Sequence, residues 1–160
     1  MKYILSEAAE SHMAIHWANS LLPGSTFSSN FCKSLEELND KLESLLPVDV
    51  VHTLEGRIGH VYFFENNQIV GYEGVGRLSD FSVSDVQVLK RRGQIVNFIE
   101  VDSLPETSYL TVISFLNSDG YYELVTAFPG EYAPPFPVLG EVGTESYLFW
   151  LEHVLLRRRS

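Results

Sequence analysis

Between Glu7 and Leu22, the apolar residues Ala9, Met13, Trp17 and Leu21 recur every four positions until Pro23-Gly24 closes the run, which predicts an amphipathic helix. The segment Ser25–Asn30, Ser-Thr-Phe-Ser-Ser-Asn, is rich in side chains that bond their own backbone and reads as a connection. Ser34 with Glu37 then makes a capping box. Leu35, Leu38, Leu42 and Leu45 follow along one face, and Pro47 stops this second helix.

Beyond Pro47 the period changes. Val48–Leu54, Ile58–Phe64 and Gln68–Tyr72 are short, β-branched and aromatic, with Glu65-Asn66-Asn67 as a hairpin turn between the last two. Gly71, Gly74 and Gly76 lack the flanking helix that a phosphate-cradling loop needs, and mark a bulge or bend. Residues 82–92 admit two readings. Ser82 with Asp85 can cap a short helix ending at Gly93, or Val86–Lys90 can be a strand turning at Arg91-Arg92-Gly93. Ile95–Val101 reads as a strand broken by Leu104-Pro105. Tyr109–Leu116 and Tyr121–Phe128 around Asn117-Ser118-Asp119-Gly120 give a strong antiparallel hairpin signal. Thr144 caps a final helix in which Tyr147, Leu148, Leu151, Val154 and Leu155 face inward, with Glu145 at its positive end and three arginines at its negative end. Together these elements predict a single α+β domain spanning 1–160: two N-terminal helices, a mainly antiparallel β-sheet and a C-terminal helix.

Composition agrees with a folded chain. Its 160 residues are 45% hydrophobic, enough for a core without disulfide or metal staples. No apolar run approaches the ~20 residues that span a bilayer, and Met1–Glu7 lacks the apolar middle of a signal peptide, so neither membrane insertion nor secretion is expected. The single cysteine, Cys32, suits a reducing compartment, and the expected location is the cytoplasm. Charge narrows the partners further. Twenty-one acids against eleven bases give a formal net charge of −10, which argues against a generic DNA-binding role that depends on neutralising phosphates. An acidic chain suits a basic protein partner.

Five histidines are the candidates for proton transfer near neutral pH. His12 and His16 stand four apart, a spacing that can put two imidazoles on one metal ion, but no third ligand supports them and they read as surface or packing histidines. His153 belongs to a helix C-terminus, while His52 and His60 fall in strands. Cys32 and the serines lack any nucleophile context. One segment stands out: Leu124-Val125-Thr126-Ala127-Phe128-Pro129-Gly130 runs into the rigid strap Glu131-Tyr132-Ala133-Pro134-Pro135-Phe136-Pro137; the whole stretch holds four of the chain's seven prolines, and its stiff exit fixes where the Thr126 hydroxyl points.

The run from Tyr121 to Gly130, preceded by Leu104-Pro105-Glu106-Thr107 and an intervening strand, resembles the last strands of the barnase, EndoU, colicin and RelE-like group of ribonuclease toxins, over about Val51–Pro129. The resemblance implies N-terminal helices followed by a curved antiparallel sheet, and RNA cleavage with no metal or other cofactor. It implies that Thr126 bonds the scissile phosphate and that His60 acts as general base on the ribose 2′-hydroxyl or as leaving-group acid. Arg57, Arg77 or a member of the Lys90-Arg91-Arg92 cluster would stabilise phosphorane charge, and Tyr72, Tyr121 and Tyr132 would stack unpaired bases. The acidic charge supports a rival expectation: a non-enzymatic, immunity-like module whose Glu131 and Glu141 loops cover a basic partner.

Overall fold

The computed structural model describes residues 1–53, 56–91, 93–135 and 144–159. Its elements run α1 (Glu7–His12), a 3-10 turn (Met13–Ile15), β1 (Thr26–Phe27), α2 (Leu35–Leu42), β2 (Asp49–His52), β3 (Ile58–Phe63), β4 (Gly71–Tyr72) and β5 (Val75–Arg77). Two 3-10 turns, Leu78–Asp80 and Val83–Asp85, lead to β6 (Gln87–Arg91), β7 (Gln94–Val101), β8 (Glu106–Thr107), β9 (Tyr109–Leu116), β10 (Tyr122–Pro129), α3 (Glu145–Glu152) and β11 (His153–Arg158). The class is α+β with mainly antiparallel pairing, as the sequence predicts.

Three sheets are built from these strands: an antiparallel sheet in the order β10-β9-β3-β2, a small one in the order β1-β4-β8, and a mixed one in the order β5-β11-β7-β6. Helices α1 and α2 cover one face of the first sheet. Met13, Leu35, Leu38 and Leu42 pack there against Tyr62, Leu110, Val112, Leu124 and Ala127 in the main core. The α2 cap forms as its sequence dictates, Ser34 Oγ accepting from the Glu37 backbone N–H, while the Glu37 carboxylate reaches one residue further back, to the Lys33 N–H.

Three expectations are corrected, and one open choice is decided. The first helix does not extend to Leu22: it tightens into a 3-10 turn after His12, and Leu21 is 82% exposed. The chain is diverted because the His16 carbonyl accepts from the Phe27 N–H and the Trp17 carbonyl from the Ser20 N–H. The turn at Glu65-Asn66-Asn67 forms, with Asn66 and Asn67 at positive φ, yet joins no hairpin. Strand β3 stays on β9, whereas β4 pairs with β1 and β8. In residues 82–92 the strand reading prevails, with β6 turning back on β7. The third correction is at the end of the chain, where Val154 and Leu155 lie in β11, parallel to β7 and antiparallel to β5. Val96, Phe98 and Leu155 form one apolar cluster of this mixed sheet, and Ile99, Val154 and Leu156 another. A central strand buried on both faces is a continuous apolar run, which periodicity alone does not separate from a buried helix. The arginines predicted for a helix end accordingly serve the sheet: Arg157 pairs with Glu100 at 3.1 Å and Arg159 with Asp102 at 2.7 Å.

Candidate functional site

Antiparallel partners share a face of their sheet, and successive residues alternate. Along the first sheet, Ala127, Val112 and His60 form one row, and Thr126, Ile113 and Gly59 form the next. The first row faces the helices. The second faces away, and there a cavity of about 380 Å³ lies between the first sheet, the mixed sheet and the strap after β10.

Thr126 reaches this cavity through a β-bulge. Leu124 pairs with Ser114 and Thr126 with Ile113, so Val125 is an extra residue that re-aims the chain, as bulges beside functional sites commonly do. Behind it, the buried Met13 sulfur accepts from the Ala127 N–H at 3.3 Å and from the Thr126 hydroxyl at 3.9 Å. This contact seats the end of the first helix on β10 and brings His12 and His16 to the cavity wall. The His16 ring is 6.0 Å from those of His12 and Phe128, centroid to centroid.

His16 is buried, and its Nδ1 lies 2.8 Å from the Ser25 carbonyl oxygen. A carbonyl only accepts, so Nδ1 carries the proton; in the neutral ring the lone pair therefore sits on Nε2. Ser25 is held in turn by its hydroxyl, which accepts from the Gly74 N–H at 2.9 Å.

Two arginines from different walls complete the cavity. Arg57 follows β2 in a turn closed by Thr53: the Thr53 hydroxyl accepts from the Arg57 N–H and donates to the Arg57 carbonyl, both at 3.1 Å. Arg91, at the β6–β7 turn, donates from Nη1 to the Pro23 carbonyl at 3.0 Å, which orients the guanidinium. Thr144, Glu145 and Ser146, the start of α3, also border the space. The strap is fixed where it leaves β10 because the buried Thr111 hydroxyl donates to the Gly130 carbonyl at 2.9 Å. Tyr132 then lies over Gly59, where a Cβ would come within 3.2 Å of its ring.

Of the residues singled out from sequence, the structure therefore brings Thr126, Arg57, Arg91 and Tyr132 together. It does not bring His60. That imidazole is 3% exposed on the helix-facing side, with Nδ1 3.1 Å from the Tyr3 hydroxyl, which also bonds the Tyr62 hydroxyl at 2.6 Å. The Tyr122 ring stands edge-on to it. Arg77, Lys90, Tyr72 and Tyr121 also stand apart from the cavity lining, and Arg92 and Glu141 lie outside the described residues. His12 and His16 are the residues that the sequence reading left to packing; their four-residue spacing was the visible signal. Cys32 is buried beneath α2, and burial, with Glu37 adding to it, pushes its thiol up to about 12, far from a reactive thiolate. His153 donates from Nδ1 to the Phe149 carbonyl and stacks on the Phe149 ring, closing the end of α3.

The chemistry of His60 is that of a core group. Burial holds its pKa below the ordinary 6.5, and the N-terminal ammonium and His52 push the same way. Below that value the unfolded chain takes up a proton that the folded chain refuses. The His60 contribution to stability is thus intact above pH 6.5 and is lost as pH falls from there toward the lower folded value. Urea midpoints measured from pH 7.5 to 5 should fall for the natural chain and fall less steeply for His60→Gln.

Among the described residues, no group of three or more His, Cys, Asp or Glu side chains is placed to hold a metal ion, and no helix is long and apolar enough to cross a membrane. No family model matches the chain, and comparison with curated proteins and with solved structures gives no significant match.

Proposed function

We propose that this protein is a ribonuclease that cleaves RNA by internal transesterification at the cavity beside Thr126. The observation that carries the reading is the concentration, within a chain of net charge −10, of two arginines, two histidines and an aimed hydroxyl around one space. That set suits a phosphodiester: cations for its charge, imidazoles for its protons and a neutral donor for a non-bridging oxygen.

His16 serves as general base. Its Nε2 takes the proton from a ribose 2′-hydroxyl while that oxygen attacks the adjacent phosphorus. The new P–O2′ bond forms as the P–O5′ bond breaks, and the departing 5′-oxygen takes a proton from His12, on the same wall. The products are a 2′,3′-cyclic phosphate and a free 5′-hydroxyl. Arg57 and Arg91 stabilise the charge on the pentacoordinate phosphorus, and Thr126 turns its one hydroxyl proton from the Met13 sulfur to one of the phosphorane oxygens. Each such effect is commonly worth about 10²–10⁴-fold in rate. His60 has no part in this scheme; its role is structural.

The test is incubation of single-stranded RNA with the purified protein in excess chelator, with product ends identified by mass spectrometry. Cyclic phosphate ends support the reading, and RNA left intact after prolonged incubation at high protein concentration overturns it. The rival module that binds a basic partner predicts intact RNA and a salt-sensitive complex instead.

A further inference from the structure

The cavity has an apolar side that phosphate chemistry leaves unused. Three aromatic residues, Phe128, Tyr132 and Trp150, line the same space, and Pro134 and Pro135 border it beside them. Trp150 is fixed there by its edge: the indole Nε1–H lies 3.0 Å from the Pro134 carbonyl oxygen and 3.2 Å from that of Pro135. The Phe149 ring stands edge-on to it, 5.0 Å away, and the mixed sheet's core backs it through Val96, Phe98 and Leu155. At about 380 Å³ the cavity falls within the range of small-ligand sites, most of which combine apolar walls with a few placed polar groups.

We infer that the apolar side, with Trp150 as its anchor, is a subsite for one unpaired nucleobase, so that the protein binds a nucleotide in single-stranded RNA by base stacking as well as by its phosphate. The inference rests on the reading of the cavity as an RNA-cleaving site and adds what the polar residues do not supply. A base held in a duplex is stacked on its neighbours and does not enter such a space, whereas an unstacked base offers two flat faces to aromatic rings. Stacking of this kind is tolerant of base identity, because every base has a π face. Trp150 is a binding residue in this account and takes no part in proton transfer.

Isothermal titration calorimetry separates the contributions. Uridine 3′-monophosphate, adenosine 3′-monophosphate, ribose 5-phosphate and inorganic phosphate are titrated into the full chain. Both nucleotides should bind at least ~10-fold more tightly than ribose 5-phosphate. Trp150→Ala should remove that advantage and Trp150→Phe should keep most of it. Arg91→Gln should weaken nucleotide and phosphate alike. Because Trp150→Ala also loses the bonds to the strap, proton NMR of the nucleotides with the natural chain provides a readout independent of that variant: base protons move upfield when they lie over an aromatic ring. Equal binding of nucleotide and ribose phosphate, or base protons unshifted on saturation, overturns the inference. Base-dependent binding by a protein that leaves RNA intact retains the subsite and discards the ribonuclease. Cleavage of RNA without base-dependent binding does the reverse.

Discussion

His16→Asn should lower the rate of RNA cleavage by about 10²–10⁴-fold while leaving the folded structure in place. The asparagine amide can still donate to the Ser25 carbonyl, as Nδ1 of the imidazole does at 2.8 Å. It offers no basic nitrogen where Nε2 stood. His16→Ala removes both functions and should lose stability as well as activity, since the Ser25 carbonyl, buried at the back of the cavity, loses the donor that His16 Nδ1 supplies. Single-turnover rates and urea midpoints for the two variants separate base from tether. An asparagine variant that cleaves within a few-fold of the natural rate contradicts the assignment of His16. His12→Ala should lower the rate and remove the alkaline limb of a bell-shaped pH profile, because the leaving oxygen then departs without its acid.

Gly74→Ala should destabilise the fold by about 3 kcal/mol or more, the upper range for overpacked sites. A Cβ at Gly74 would lie 1.8 Å from the Gly24 carbonyl carbon and 2.3 Å from the Ser25 nitrogen, both backbone atoms that no rotamer change can move. The approach is this close because three hydrogen bonds draw the segments together: Gly74 N–H to Ser25 Oγ, Leu156 N–H to the Gly74 carbonyl, and Gly24 N–H to the Leu156 carbonyl. This junction ties the mixed sheet to the loop that carries the Ser25 carbonyl. Loss of the junction therefore displaces His16, and activity should fall with stability. Gly120→Ala provides the contrast. It has a positive φ of 85° but nothing within 4 Å, so only the backbone penalty of about 1–2 kcal/mol applies. Equal urea midpoints for the two variants would contradict the account of Gly74.

The sequence is legible where one local signal suffices. The Ser34 cap, the hairpin around Asn117-Ser118-Asp119-Gly120 and the strand Gln94–Val101 all form as their residues dictate. Legibility fails where burial is decided by distant partners. Val154-Leu155-Leu156 reads as helix until β7 and β5 are seen on either side of it. Leu148 and Leu151, expected to face inward, are more than half exposed on α3, which ends at Glu152.

The site divides in the same way. Thr126 is legible as a strand hydroxyl before a rigid exit, Arg57 only through the resemblance, and both line the cavity. The resemblance joins His60 to them, and it does lie in the same sheet, but adjacent strand positions face opposite sides, and sequence does not say which side the helices cover. Gly59, one residue earlier, faces the cavity beneath Tyr132. With no third ligand and beside the apolar stripe of Met13 and Trp17, His12 and His16 read as surface or packing histidines. That stripe is what presses the end of the first helix onto β10 and delivers the two imidazoles next to Thr126.

The central claim is that a ribose 2′-oxygen, activated at this cavity, is the nucleophile. The most direct measurement compares an RNA oligonucleotide with one carrying a single 2′-deoxynucleotide at the cleaved position, both incubated with the natural chain in excess chelator. Cleavage of the first to a 2′,3′-cyclic phosphate and survival of that linkage in the second are expected. Equal cleavage of both, or of neither, contradicts it.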